Sequence, residues 1–345
     1  MTHKYQKTGI IAAIIIVVSV ILILITNSII EKKLTAAINK LPKSVKIDYS
    51  NINSNILSRS IEIGYPHVRV LGETTTKNIL DVELSIIKIT NIDYWDFLFN
   101  DKISLGNLVL NNLIVKYKHN SVVKKEKYKS GFLDNIKQFI NVENISINNV
   151  DILVTNYATD SILLSVPKLN FEINDIKINP KFSKVNKKIN YSDFHFTAEN
   201  LKWEINEFDD LSADLVSITD KDASLKNVKL KTKYNKDEFS TILKKERDHF
   251  NLDINEIKLS ELDFGFNDIE QFYFITKSIY LNSPEAEIYR DKLVTDDLTY
   301  KPLYGSMLRE LDFELGLKTI KINNGKISYL EKVKVEEKGN LILLT

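Results

Sequence analysis

Apolar and polar positions follow one spacing most clearly in Lys318–Leu330, KTIKINNGKISYL, where Ile320, Ile322, Gly325 and Ile327 stand at steps of two, three and two. The same steps recur at Leu108, Leu110, Leu113 and Val115, at Ile145, Ile147, Val150 and Ile152, and at Ile257, Leu259, Leu262 and Phe264. A step of two is strand alternation. The step of three needs a two-residue connector or a bulge, and the residues found there are Asn111-Asn112, Asn148-Asn149, Ser260-Glu261 and Asn323-Asn324. Asparagine tolerates left-handed backbone, and Asn324-Gly325 is a strong short turn signal. Each copy therefore predicts a strand, a tight turn or bulge, and a second strand, with the apolar residues gathered on one face.

A short helix is predicted ahead of each copy, at Tyr94–Phe99, Gly131–Ile140, Lys236–His249 and Leu303–Leu311. Phe132, Ile136 and Ile140 lie four apart, as do Phe239 and Leu243, which is helical spacing. Outside these units alternation dominates, as in Val45-x-Ile47, Ile61-x-Ile63, Val68-x-Val70, Leu84-x-Ile86, Phe171-x-Ile173, Phe194-x-Phe196, Leu201-x-Trp203 and Val228-x-Leu230. One apolar and one wet face point to antiparallel sheet. The expected fold is mainly β: an elongated antiparallel sheet with a few short helices. Lysine-rich His119–Ser130 and Lys181–Asn190 read as solvated loops, and Pro284–Tyr300 as an irregular polar excursion between strands.

The beginning of the chain differs. Residues 1–8 form a short polar tail, Gly9–Ile30 is an apolar run of bilayer-spanning length, and Glu31–Leu41 continues it with an apolar stripe before Pro42. A transmembrane signal-anchor is expected at 9–30, ahead of a β-rich region over 42–345. The competing reading is a cleaved secretory signal, for which Thr35-Ala36-Ala37 offers only a weak cleavage site. Lys4 and Lys7 are outnumbered by Lys32, Lys33, Lys40 and Lys43 on the far side, so the charges leave orientation open.

With 47 Lys and Arg against 46 Asp and Glu in 345 residues, bulk charge does not recruit nucleic acid. Cysteine is absent, which removes disulfides, thiolate metal sites and a cysteine nucleophile. His3, His67, His119, His195 and His249 show no metal-ligand spacing, and His195 is expected to face solvent between Phe194 and Phe196. No phosphate loop, nucleophile elbow or zinc-peptidase helix is present. The adjacent carboxylates Asp209-Asp210 and Asp296-Asp297 read as turn residues. Neither a catalytic constellation nor a cofactor site is expected.

An N-terminal membrane helix followed by Ile89–Tyr117, Gly131–Val154 and Met307–Glu331, each leading a short helix into this spacing, resembles the AsmA-like envelope proteins, relatives of TamB and YhdP. The resemblance implies a single-pass anchor in the inner membrane with the bulk of the chain in the periplasm. It also implies a sheet curled into an open groove, and a non-enzymatic role in phospholipid transport and outer-membrane homeostasis. Members of that family continue well beyond such a unit, whereas this sequence stops at Leu341–Thr345, so a short or truncated member is expected. The residues expected to line an apolar groove are Leu108, Leu110, Ile145, Ile147, Ile257, Leu259, Ile320 and Ile322, with membrane phospholipids as the partner. The alternative is an anchored scaffold that binds another envelope protein through a sheet edge.

Overall fold

The computed structural model describes residues 45–55, 57–71, 78–100, 102–120, 138–182, 188–267, 271–299, 304–334 and 343–344. The expected tail, spanning helix and helical extension fall outside them. Among the described residues no helix is long and apolar enough to cross a membrane. Among the described residues strand dominates, and the helices are α1 (Tyr94–Phe99), α2 (Lys236–Ile242) and α3 (Tyr304–Arg309). The chain divides into two compact units, Met1–Ala198 and Glu199–Thr345.

The first unit contains β1 (Val45–Asp48), β2 (Asn51–Asn55), β3 (Ser60–Gly64), β4 (His67–Leu71), β5 (Asn78–Glu83) and β6 (Ile86–Thr90). These are followed by β7 (Lys102–His119), β8 (Phe139–Asn156), β9 (Ile162–Ile178) and β10 (Ile189–Asn190). The division between the units falls within β11 (Asp193–Glu204). The second unit contains β12 (Asp209–Thr219), β13 (Asp222–Thr232), β14 (His249–Phe266), β15 (Phe272–Asp291), β16 (Glu314–Asn323), β17 (Lys326–Lys332) and β18 (Leu343–Leu344).

No copy of the repeated spacing is a hairpin. Leu108–Val115, Ile145–Ile152 and Ile257–Phe264 each lie within one continuous strand, interrupted by a bulge. The second connector residue is the one in left-handed backbone: Asn112 (φ 55°), Asn149 (φ 56°), Glu261 (φ 51°) and Asn324 (φ 51°). Across β8 and β9 the register runs Ile147↔Phe171 and then Val150↔Leu169, so Asn148 and Asn149 together oppose Asn170. The Asn149 N–H donates to Asn170 Oδ1 at 2.9 Å. One extra residue turns the next apolar side chain back to the face it would otherwise leave. The Asn324-Gly325 signal likewise bends the chain without reversing it, because β16 and β17 both run parallel along β15.

The expectation of antiparallel pairing throughout is corrected. β7 and β8 pair in parallel, as do β15 with β16 and β17, while β12–β13, β13–β14 and β14–β15 are antiparallel. Alternation with one wet face does not encode strand direction. The parallel pairs set one copy of the spacing against another in register, Leu108 beside Ile145 and Leu110 beside Ile147. Connector residues then stack: Asn148 Nδ2 donates to Asn111 Oδ1 at 3.0 Å, Asn149 Nδ2 to Asn112 Oδ1 at 2.7 Å, and Asn323 Nδ2 to Asn282 Oδ1 at 3.2 Å. These amide steps penalise any slip in register. Asn149→Ala is expected to lose about 1–2 kcal/mol, from one hydrogen bond and a left-handed alanine. Asn149→Gly should recover the backbone share, as read from urea unfolding midpoints.

The bulges recur, giving the strands a period of five. β7 places Ile103, Leu105, Leu108, Leu110, Leu113 and Val115 in its buried layer, and β8 places Ile140, Val142, Ile145, Ile147, Val150 and Ile152 there. In the second unit the same steps place Leu252, Ile254, Ile257, Leu259, Leu262 and Phe264 along β14.

Each described helix precedes a repeated strand. α1 is capped by Asp93, whose carboxylate accepts from the Trp95 and Asp96 N–H groups. Bonds from Lys102, Ser104 and Asn100 hold the Asp96 carboxyl below the usual carboxylate range and pin the helix to the start of β7. Two expected helices are shortened. Lys236–His249 is helical only to Ile242, starting from a capping box between Asn235 and Glu238, and His249 opens β14. Leu303–Leu311 is helical over Tyr304–Arg309. Of Gly131–Ile140, residues 131–137 lie outside the described residues, while Phe139 and Ile140 begin β8. The expected polar excursion is also corrected, since Pro284–Asp291 continues β15. Pro284 follows left-handed Ser283 (φ 48°) at a bulge, a strand position that tolerates a missing N–H.

Candidate functional site: an open apolar sheet face

The eight expected groove residues separate into two groups. Leu108 and Leu110 are 0% exposed, Ile145 4% and Ile147 3%. They pair side by side in the first unit, but as closed core, and an acyl chain could reach them only by displacing neighbours. In the second unit Ile257 and Leu259 are half-buried, whereas Ile320 is 57% exposed and Ile322 62%.

Register joins this second group into rows across three strands. Ile257 of β14 faces Leu281 of β15, which lies beside Ile322 of β16. Leu259, Ile279 and Ile320 form the next row. Leu262, Thr276 and Leu317 follow, and then Phe264, Phe274 and Leu315. Between the second and third rows the ladder skips Glu261, Lys277 and Lys318 together, and Glu261 is in left-handed backbone (φ 51°), so the three strands stay in register across the step. Adjacent strands lie about 4.8 Å apart, so three strands present a band wide enough to support an extended hydrocarbon chain.

Ile279 and Leu281 were not among the expected groove residues. Their signal was Ile279-x-Leu281-x-x-Pro284-x-Ala286, a further copy disguised by the proline and by the short side chain after it.

The two ends of this face differ. At one, Phe264 stacks against Phe274 at 6.4 Å between ring centroids, Phe266 meets Phe272 at 5.7 Å, and Phe272 meets Phe313 at 5.8 Å. At the other, Arg290 makes a two-pronged ion pair with Asp248 at 2.5 and 2.6 Å. There Lys292 pairs with Glu246, and Lys332 ties β17 to Asp291. Burial, and a hydrogen bond to Glu331, push the Tyr329 hydroxyl up to about 12, so it remains a donor. The third row is closed on β14 and β15, where Leu262 and Thr276 are buried, so the open part of the face is its β16 side, Leu317, Ile320 and Ile322. Exposed apolar side chains grouped in this way are uncommon unless something covers them.

No protein-family model and no curated protein matches the chain.

Other clusters were hidden in the sequence. His67 on β4 and Asp81 and Glu83 on the next strand, β5, bring three possible ligand atoms within 4.8 Å of one another. Cross-strand pairing of β4 with β5 does this, and no sequence spacing could have shown it. His67 Nε2 lies 2.8 Å from Asp81 Oδ1, a hydrogen bond on a half-exposed face.

Asp209, expected in a turn, begins β12 and is buried. It accepts from Thr232 Oγ1 at 2.8 Å, from Asn206 Nδ2 at 3.0 Å and from Arg247 Nη2 at 2.6 Å. A carboxylate satisfied by three donors holds β12, β13 and the lead into β14 together. Asp296 and Asp297 do lie in a loop, and His195 is exposed.

Proposed function

We propose that the chain is a non-enzymatic, membrane-anchored envelope protein of the AsmA-like kind, and that the face formed by β14, β15 and β16 binds phospholipid acyl chains. The observation that carries this reading is the pair of rows Ile257–Leu281–Ile322 and Leu259–Ile279–Ile320, half-buried at one side and exposed at the other. Each methylene laid on such a face gains about 0.8 kcal/mol when fully removed from water, so a fraction of one acyl chain suffices for capture. Headgroups would remain at the charged end beside Arg290 and Lys332. The closed rows of the first unit would then serve as scaffold. The apolar run at Gly9–Ile30 would hold the chain in the inner membrane, with the remainder in the periplasm.

The test places a photoreactive amino acid at Ile322 in the full-length chain in cells, followed by mass spectrometry of the purified protein. A phospholipid-sized adduct at Ile322, absent when the same group replaces Leu110, is the expected result. Protein adducts at Ile322 without lipid would sink the lipid reading and favour the scaffold.

A further inference from the structure

On the other face of the second unit's sheet a cavity of about 560 Å³ opens beside α2, where β13 ends and β14 begins. Its place follows from alternation. Leu252 and Ile254 point to the apolar face of β14, so His249, Asn251 and Asp253 point to the opposite one. Lys231 of β13 and Glu287 of β15 stand on either side of Asn251 in one cross-strand row. α2 covers the end of this face through Phe239, which lies edge-on to the His249 ring, and His249 is only 8% exposed. The volume falls in the range of small-molecule sites, about 300–1,000 Å³.

Two acceptors on the residues that line this cavity lack a donor. His249 Nε2 lies 2.8 Å from the Tyr234 carbonyl oxygen, so that nitrogen carries a proton and donates it. In the neutral ring Nδ1 is then an acceptor, and it has no partner among the described residues. Asn251 Oδ1, the next position on the same face, is likewise shielded from solvent and without a partner. Buried acceptors are rarely left so, because each has given up water without gaining another donor. The nearby lysines are engaged elsewhere: Lys231 pairs with Asp253 at 3.2 Å and Lys236 with Glu287 at 2.9 Å.

We infer that the cavity binds a neutral polyhydroxylated ligand, a sugar unit, whose hydroxyl groups donate to His249 Nδ1 and Asn251 Oδ1. Charge and chemistry select this class. The walls hold two lysines, Lys231 and Lys236, and two carboxylates, Asp237 and Glu287, so their formal charges cancel and neither a cation nor an anion is favoured. Hydroxyl groups both donate and accept, as such mixed walls require, whereas an apolar ligand would leave both acceptors unmatched. Tyr234, 37% exposed, lines the same cavity and offers a ring against which the C–H face of a sugar can pack. The site is independent of the acyl-chain proposal, because it lies on the opposite face of the sheet.

Saturation-transfer NMR on the full-length protein, in a detergent without a sugar headgroup, tests this. Methyl glucoside, methyl galactoside and methyl N-acetylglucosaminide are the neutral probes, and glucosamine and glucuronate carry a similar ring with a charge. At least one neutral probe should give a signal and bind more tightly than both charged ones. Asn251→Leu keeps the side chain's shape, removes the acceptor and should weaken that binding about tenfold, the usual effect of one buried hydrogen bond. Tyr234→Ala, at a partly exposed site, retains the carbonyl that His249 uses and should weaken binding too. Circular dichroism checks that each variant retains its strand content. Cellobiose compared with glucose separates the sources: tighter binding of the disaccharide assigns a glycan and equal binding a free monosaccharide, and either supports the inference. No signal from any neutral probe, preference for a charged one, or binding unchanged in the folded variants overturns it.

Discussion

Ile147→Glu is expected to unfold the first unit, whereas Ile322→Glu, at a matching position of the repeated spacing, should leave the second unit folded. Ile147 is 3% exposed, beside Leu110 on β7 and Phe171 on β9. An unpaired carboxylate in that layer costs several kcal/mol, comparable with the whole stability of a typical domain, about 5–15 kcal/mol. Ile322 projects from the outermost long strand with most of its surface in water, so the same charge there stays solvated. Circular dichroism and limited proteolysis of the two variants decide the matter. If both unfold, the β14–β16 face is core that another part of the protein covers, and the lipid proposal loses its site. If only Ile147→Glu unfolds, the spacing encodes scaffold in one unit and an open face in the other.

The second large effect is expected at Phe239. It is the one side chain of α2 that is fully buried, lying edge-on to Phe208 at 5.6 Å and to His249 at 5.6 Å. Arg247 lies over the Phe208 ring, 4.9 Å from its centroid, before reaching Asp209, so the helix, the start of β12 and the start of β14 share this anchor. Phe239→Ala should cost about 3–5 kcal/mol, because the cavity it leaves sits between aromatic rings that cannot collapse into it. A denaturant titration followed by tryptophan and tyrosine fluorescence measures the loss. A shift below about 1 kcal/mol would mean that α2 docks on its capping box and exposed contacts, with little from the ring.

The predominance of strand, the three described helices and four of the irregular strand positions were legible in the sequence, because each rests on short-range spacing; those at Asp175, Asn200, Asn227 and Ser283 were not. Asn112, Asn149, Glu261 and Asn324 occupy the left-handed sites at which the step of three demanded something unusual. Strand direction was not legible: an apolar residue every second position looks the same whether the neighbour runs up or down. Nor could sequence distinguish Leu110 from Ile322, since the two share a pattern and differ only in how many strands surround them. The cluster of His67 with Asp81 and Glu83, and the burial of Asp209, depend on the cross-strand register, which spacing within one strand does not show. Pro284 misled for a local reason, as a residue that ordinarily ends strands here sits in a bulge that has no use for its missing N–H.

The five-residue period also bears on how such a chain can change its length. In an ordinary strand, inserting one residue turns every later side chain to the opposite face, and only even insertions are neutral. In β7 or β8, each block of five carries its own corrective bulge, so a whole block can be gained or lost with the inner residues still pointing inward. The in-register asparagines would then demand a matching change in the neighbouring strand. Strand length here is therefore adjustable in steps of one block, provided that adjacent strands change together.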